Sequence, residues 1–139
     1  MLASIGFAVA YTAVGIALLT AGYYALDLLT PGHLGRHILE QRSVNAALVA
    51  AGGMLGLGAV VFAAIWTNAT SGFGTALLYT VVFGLLGVVL QAVAFVVLDL
   101  ITPGKLGAHI TEPVFHPASL VVAAVQLAVA MIIVASIWP

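Results

Sequence analysis

Four long apolar runs dominate the sequence, and three short polar segments separate them. The runs cover residues 4–29, 45–66, 73–100 and 118–138. An α-helix rises about 1.5 Å per residue, so about 20 apolar residues cross the roughly 30 Å hydrocarbon core of a bilayer. Each run reaches that length. The pattern therefore predicts an all-α integral membrane protein with four transmembrane helices.

The polar segments between the runs differ in composition. Residues 29–43 (the first connector) and 101–117 (the second connector) contain charge, proline and glycine, whereas the segment TNATSGFG between them is uncharged and turn-like. Two spans separate the connectors, so both lie on one side of the membrane. The three basic residues, Arg36, Arg42 and Lys105, all lie in them. The positive-inside bias assigns that side to the cytoplasm and places both termini outside.

Composition agrees with a membrane protein and excludes several classes of function. The chain is 64% hydrophobic and 5% charged, with a mean hydropathy of +1.29, which is too apolar for the surface of a soluble domain. Three basic residues and a net charge of -1 give no basic patch for nucleic acid. Without cysteine, the chain has no disulfide and no thiol nucleophile. No nucleophile with a neighbouring base and no phosphate-binding loop is recognisable, so we expect neither an enzyme nor a cofactor.

One segment of the sequence occurs twice. ALDLLTPGHLGRHILEQ at residues 25–41 recurs as VLDLITPGKLGAHITEP at residues 97–113, with eleven of seventeen positions identical. This predicts two tandem two-helix repeats, residues 1–71 and 72–139, in one membrane domain. Tandem helix pairs share one orientation and can be related by an axis along the membrane normal. The duplication either places paired groups around a centre or only thickens a helical bundle.

The repeated motif supplies the candidate site residues. These are Asp27, Thr30, Pro31, Gly32, His37 and Glu40 in the first copy, and Asp99, Thr102, Pro103, Gly104, His109 and Glu112 in the second. Each aspartate ends a predicted span, where the helix dipole disfavours a carboxylate, so it needs another partner. It either accepts N–H groups of the following Thr-Pro-Gly turn or faces a wet vestibule on an ion path.

Each Pro-Gly pair forces the chain out of its helix, because proline lacks an N–H group and glycine permits a positive φ. The residues that follow have apolar positions at helical spacing, which predicts a short helix in the headgroup layer of each connector. His37 with Glu40, and His109 with Glu112, share a helix face and could in principle contact one metal ion. A solvated polar face is the ordinary explanation, so no metal is predicted.

Few polar residues interrupt the spans. Gln91 and Gln126 are the amides at depth, and each needs a hydrogen-bond partner, either on another helix or along a permeation path. Asn45 opens the second span, where we expect it to act as a helix N-cap. Its counterpart in the second copy is Pro117. Four helices cover little of one another, so we expect a homo-oligomer within the lipid bilayer.

The motif resembles that of a known family. Residues 27–32, Asp-Leu-Leu-Thr-Pro-Gly, followed by Ile38, Glu40 and Asn-Ala-Ala at 45–47, resemble the YjfL-like family of small bacterial inner-membrane proteins, domain of unknown function family 350. The likeness covers nearly the whole chain as two tandem copies. It implies a four-helix, multi-pass protein of the bacterial plasma membrane, often encoded near polyamine or glutathionylspermidine synthase-like enzymes. It implies no activity and no catalytic residues.

Two kinds of function remain. The first is an oligomeric membrane scaffold or accessory subunit that docks a cytoplasmic partner protein. The second is a channel or transport component in which Asp27 and Asp99, with His37 and His109, form a vestibule that attracts cations or polyamines. Uncharged spans favour the scaffold, whereas paired carboxylates favour cation passage. We favour the scaffold.

Overall fold

The computed structural model describes residues 1–138, which form six helices and no strand. The helices are α1 (Leu2–Leu29), α2 (Leu34–Leu39), α3 (Val44–Thr67), α4 (Phe73–Ile101), α5 (Leu106–Ile110) and α6 (Ala118–Ile137). The four long ones are each long and apolar enough to cross a bilayer. They confirm the four predicted spans, and every observed boundary lies within two residues of the predicted one.

The two motif copies end α1 and α4 in the same way. Thr30 and Thr102 leave the helical conformation, with ψ of 129° and 122° respectively. The proline that follows each threonine disfavours a helical conformation in the residue before it. A short helix then forms in each connector, α2 in the first and α5 in the second. The placement of these short helices in the headgroup layer stays a prediction.

Helix α3 lies at the centre of the bundle. It packs against α1, α4 and α6, and most extensively against α6. The α3–α6 contact is close because small residues face each other across it. A Cβ on Gly52 would lie 2.8 Å from Ala123 Cα, and one on Gly56 would lie 2.9 Å from Ala130 Cβ. In lipid, such close backbone approach is a main source of helix–helix attraction.

The connectors are anchored to this bundle by apolar side chains. Leu34 of α2 and Leu106 and Ile110 of α5 are buried. They belong to one core cluster together with Leu26, Ala46, Val49, Ala50, Phe95 and Val122. Since each short helix contributes to a core shared with the spans, the two connectors have fixed positions against the ends of the long helices.

The two predicted repeats do not pack as equivalent units. A twofold axis would exchange α1 with α4 and α3 with α6, so the α3–α4 contact should be matched by an equal α1–α6 contact. Instead, α3 and α4 are in extensive contact, whereas α1 and α6 barely meet within residues 1–138. Helix α1 is correspondingly the least buried of the four long helices. The helix contacts within residues 1–138 thus do not confirm the predicted twofold relation between the repeats. Residue 139, the last of the predicted second repeat, lies outside the described residues.

Candidate functional site at the connector face

The first and second connectors lie at the same end of the bundle and form a surface that we name the connector face. In the first copy, Asp27 lies in the last turn of α1, with 18% of its side chain exposed. Its Oδ1 accepts a hydrogen bond from the N–H of Leu34, the first residue of α2. His33 Nδ1 lies 3.5 Å from Oδ2. The carboxylate therefore joins the end of α1 to the start of α2.

His37 closes the Pro-Gly turn of the first copy. Its Nε2 donates to the carbonyl of Pro31 at 2.9 Å. Gly32 has a φ of +80°, and a Cβ there would lie 2.8 Å from His37 Nε2. Only glycine tolerates this backbone conformation at low cost. The imidazole lies against the turn in the space that a side chain at position 32 would need.

His37 does not pair with Glu40. Its Nδ1 lies 2.8 Å from the side-chain amide of Gln41. The carboxylate of Glu40 lies 3.7 Å from Arg36, and both side chains are mostly exposed. An exposed pair at this spacing contributes only a few tenths of a kcal/mol, about 0.3–0.5. The polar face of α2 is thus held by solvent-accessible contacts.

The second copy repeats the aspartate contact with a one-residue shift. Asp99 Oδ1 accepts from the N–H of Gly107 at 3.1 Å. Gly104 again has a positive φ, of 97°. Here the histidine and glutamate of the motif do meet, since His109 Nδ1 lies 3.0 Å from Glu112 Oε1. The carboxylates of Asp27 and Asp99 thus both bind backbone N–H groups, but these belong to the following short helix and not to the Thr-Pro-Gly turn.

The two threonines of the motif differ. Thr30 Oγ1 donates to the carbonyl of Leu26 at 2.8 Å, and the residue is buried. Thr102 is half-buried, and its backbone N–H donates to the carbonyl of Leu98 at 3.0 Å. Both threonines thereby satisfy a terminal carbonyl of the preceding span. Pro103 is exposed at the turn.

Asn45 joins the two halves of the connector face. Its side chain is fully buried. Nδ2 donates to the carbonyls of Glu112 at 2.9 Å and Val114 at 2.7 Å. Oδ1 accepts from the backbone N–H of His116 at 2.7 Å and lies 3.0 Å from Ser119 Oγ. Every donor and acceptor of the amide is used, and each partner belongs to the second repeat.

The prediction that Asn45 is a helix N-cap is wrong. Ser43 is the N-cap of α3, and its Oγ accepts from the N–H of Ala46 at 3.2 Å. The same hydroxyl lies 3.0 Å from the carbonyl of Glu112. Asn45 is therefore free to point out of the first turn of α3 towards the second connector. We name Ser43, Asn45 and Ser119 the inter-repeat clasp.

A close apolar contact also joins the two motif copies. A Cβ on Gly107 would lie 2.9 Å from Cδ of Pro31. Gly107 is also the residue whose N–H binds Asp99. The turn of the first copy therefore packs on the first turn of α5 in the second copy, so the connectors form one continuous surface.

Two histidines of the second connector stack on each other. The rings of His109 and His116 have centroids 4.5 Å apart and planes 19° apart. His116 Nδ1 accepts from the N–H of Ala118 at 3.1 Å, which satisfies a free donor at the start of α6. The sequence comparison of the two copies gave His116 no role, because its counterpart is Val44.

The geometry does not assemble a metal site. Among residues 1–138, no three histidine, cysteine, aspartate or glutamate side chains lie close enough to hold an ion together. In the second copy, His109 Nδ1 contacts Glu112, and His116 Nδ1 accepts from the N–H of Ala118. In the first copy, His37 and Glu40 bind different partners.

The two intramembrane amides differ in their hydrogen bonding. Gln91 on α4 reaches α3. Both ends of its amide are satisfied when Nε2 donates to the Gly53 carbonyl at 3.2 Å and Oε1 accepts from the Leu57 N–H at 3.3 Å. Gln126 on α6 is 1% exposed, and neither of its amide atoms has a hydrogen-bond partner within the described chain. Gln91 thus forms hydrogen bonds between two helices, as expected, whereas Gln126 is an unsatisfied polar group.

The residues that organise the connector face were mostly not recognisable in the sequence. Their hydrogen bonds join residues 67 to 74 positions apart in sequence, or use backbone atoms. The residues concerned are Ser43, Asn45, His116 and Ser119. One signal was available, namely that the two copies differ at Asn45 and Pro117. A buried asparagine in one copy, without a counterpart in the other, is compatible with a contact made between the copies.

Comparison with known proteins identifies relatives along nearly the whole length. Residues 1–137 match the family described as Domain of Unknown Function (DUF350). The chain is 41% identical over 127 residues to a UPF0719 transmembrane protein of Mycolicibacterium paratuberculosis, covering 91% of this chain and 83% of the relative. It is 38% identical over 129 residues to one of Mycobacterium bovis, covering 93% and 84%. No solved structure matches. The family predicted from the motif is confirmed.

Proposed function

The chain belongs to the family described as Domain of Unknown Function (DUF350), and from this membership and the connector geometry we propose that it is a non-enzymatic scaffold or accessory subunit of the bacterial plasma membrane. Its connector face is the docking surface for a cytoplasmic partner protein. Both termini lie on the opposite side of the membrane, and several copies assemble through their exposed spans.

The inter-repeat clasp is the observation that carries this proposal. Asn45 is buried and saturated by groups of the second repeat. A saturated buried polar network favours one arrangement of the groups it joins, because any displacement leaves donors and acceptors unpaired. A fixed surface is what a docking site requires.

The aspartates support the same conclusion. Asp27 and Asp99 each accept a hydrogen bond from a backbone N–H group at the start of a short helix. A carboxylate used in this way holds the connector in place. The groove between α1 and α4, about 360 Å³ in volume, is lined by alanine and valine alone. Such a lining favours hydrocarbon over cations, so the alternative of cation or polyamine passage has less support.

The connector face exposes two basic side chains and two large apolar ones that have no partner in the described chain. Arg42 and Lys105 are exposed, and neither forms an ion pair within residues 1–138. They are also the non-glycine residues with positive φ, 52° in each case, a conformation that costs about 1–2 kcal/mol. Leu39 in the first connector and Val114 in the second expose 80% and 75% of their surface. A partner with acidic and apolar side chains fits this surface.

Site-specific photo-cross-linking in the native membrane tests the docking proposal. A cross-linking amino acid at Leu39 or Val114 should give the same protein adduct, and Arg42→Glu with Lys105→Glu should abolish it. Leu55, which is 67% exposed on α3, is the matched control position within a span. Adducts that are equal at all three positions, or unchanged by charge reversal, would contradict docking at the connector face.

A further inference from the structure

We propose that His109 and His116 make the second connector a proton-operated latch, which is closed near neutral pH and opens in acid. This goes beyond the scaffold proposal, because it assigns a condition under which the connector face changes shape. It rests on the hydrogen bonds and the stacking of His109, a residue of the repeated motif, and His116, which has no histidine counterpart in the first copy.

The first step concerns the lone pair of His116. Its Nδ1 accepts from the N–H of Ala118, the first residue of α6, at 3.1 Å. A histidine nitrogen accepts a hydrogen bond only when it carries no proton. Protonation of Nδ1 therefore replaces a hydrogen bond by a contact between two donors. It also places a positive charge at the positive end of the α6 dipole.

The second step concerns the neighbouring ring. His109 stacks on His116 with centroids 4.5 Å apart, and its Nδ1 donates to Glu112 at 3.0 Å. A proton added to His109 is compensated by the Glu112 carboxylate. A further proton on His116 would then face an imidazolium ring at stacking distance. Charge on both rings therefore opposes the stacked geometry.

Of the other side chains that bind this connector, Asp99 is ionisable and contacts the N–H of Gly107, whereas Ser43 and Asn45 do not titrate. Ser43 and Asn45 of α3 bind the backbone of the second connector through a hydroxyl and an amide. Among the described residues, His109 is the titratable side chain in ring contact with His116, and Glu112 is the charged group next to it. The latch is assigned to His109, His116 and Glu112, and substitution of His116 alone separates their contribution from that of Asp99.

The direction of the pH effect follows from the protonation state of His116 that the structure requires. The neutral form makes the Ala118 contact, so the closed latch is favoured above the range in which histidine titrates and is opposed below it. Free histidine titrates at about pH 6.5. Opening releases the start of α6 and strains the segment that Asn45 holds, since His116 N–H is one of the donors to Asn45 Oδ1.

A spin label on the full-length protein in nanodiscs tests the latch. The chain has no cysteine, so Val114→Cys gives a single labelling position whose side chain is exposed. Label mobility should rise between about pH 8 and about pH 5, and His116→Asn should abolish the rise, because an asparagine oxygen can accept from Ala118 at any pH. His33→Asn, at an exposed histidine in the first connector, should leave the rise unchanged.

A rise that persists in His116→Asn, or a wild-type label without pH response, would overturn the proposal. If His116→Asn does not fold, histidine-labelled ¹⁵N NMR of the otherwise unchanged protein decides the question. The latch requires an unprotonated, hydrogen-bonded Nδ1 on His116 at about pH 8 that gains its proton together with the structural change. A proton on Nδ1 already at that pH would exclude the mechanism.

Discussion

Ser119 Oγ lies 3.0 Å from Asn45 Oδ1, although the two residues are 74 positions apart in the sequence. Asn45 stands in the first turn of α3 and Ser119 in the first turn of α6, so the contact joins the starts of the second long helix of each repeat. Both residues are fully buried. The contact shows that the repeats are tied to each other by polar groups as well as by the small-residue packing of α3 on α6.

Loss of the Asn45 amide should destabilise the protein. Asn45→Ala leaves the carbonyl of Val114 and the N–H of His116 without their partner. A buried group left unpaired costs about 1–3 kcal/mol, so we expect a loss of about 2–4 kcal/mol in the free energy of unfolding. Denaturant titration in mixed micelles measures it.

Asn68→Ala is the matched control, because Asn68 is the other asparagine and donates within its own helix to Ala64. It should lower the free energy of unfolding by about 1 kcal/mol or less. Equal effects of the two substitutions would show that the inter-repeat clasp contributes nothing beyond a local hydrogen bond.

The spans were predictable from the sequence, but the inter-repeat clasp was not. Long apolar runs ended by Thr30-Pro31 and Thr102-Pro103 predict where α1 and α4 stop, because helix termination there is local chemistry. Three of the four partners of Asn45 are backbone groups of the second connector, two carbonyls and an N–H group, and the fourth is the hydroxyl of Ser119. Backbone groups exist at every position, so the sequence carries no record of which of them a distant side chain will meet.

The motif itself was predictable in part. The need of Asp27 and Asp99 for partners followed from their position at helix C-termini. That these partners are N–H groups of Leu34 and Gly107 depends on the angle at which each short helix leaves its span. That angle is set by packing of the buried side chains of α2 and α5, which no local pattern specifies.

The close α3–α6 contact predicts opposite effects for two glycines of the same helix. A Cβ at Gly52 would lie 2.8 Å from the backbone of Ala123, whereas a Cβ at Gly58 would have nothing within 4 Å. Gly52→Ala should therefore separate the helices and cost about 1–3 kcal/mol. Gly58→Ala should be neutral or stabilising by up to about 1 kcal/mol, because alanine favours helix.

Thermal unfolding of both glycine variants in the same detergent measures this difference. A Gly52→Ala protein as stable as Gly58→Ala would mean that α3 and α6 are not in close contact in the folded protein.

Substitution of two glycines that share a positive φ should cost different amounts of stability. Gly32 and Gly72 have φ of 80° and 85°, but only Gly32 faces a neighbour, since a Cβ there would lie 2.8 Å from His37 Nε2. Gly72→Ala should cost about 1–2 kcal/mol from backbone conformation alone. Gly32→Ala should cost more, because it also displaces the imidazole from the Pro31 carbonyl.

Unfolding midpoints of these two variants, with Gly32→Ala also made in a His37→Ala background, separate the two contributions. In that background the excess cost at position 32 should disappear. An excess that remains would show that His37 is not the group with which the new side chain collides.

The unsatisfied amide of Gln126 predicts a stabilising substitution. Both of its amide atoms are buried without a partner, so Gln126→Met, which keeps the length of the side chain, removes a desolvation cost of about 1–3 kcal/mol. Gln91→Met should lower stability instead, because it removes the contacts with Gly53 and Leu57. Unfolding of both variants and the wild type in micelles measures the sign of each change in stability. A destabilised Gln126→Met protein would contradict the assignment of Gln126 as an unsatisfied polar group.

Cation flux into proteoliposomes tests the central claim most directly. The scaffold account assigns Asp27 and Asp99 to the positioning of α2 and α5. Purified wild type and Asp27→Asn/Asp99→Asn, reconstituted at matched density, should both give no flux above empty liposomes for monovalent cations, divalent cations and polyamines. Flux in the wild type that falls in the folded double variant would contradict the account and identify the connector face as the mouth of a channel or carrier.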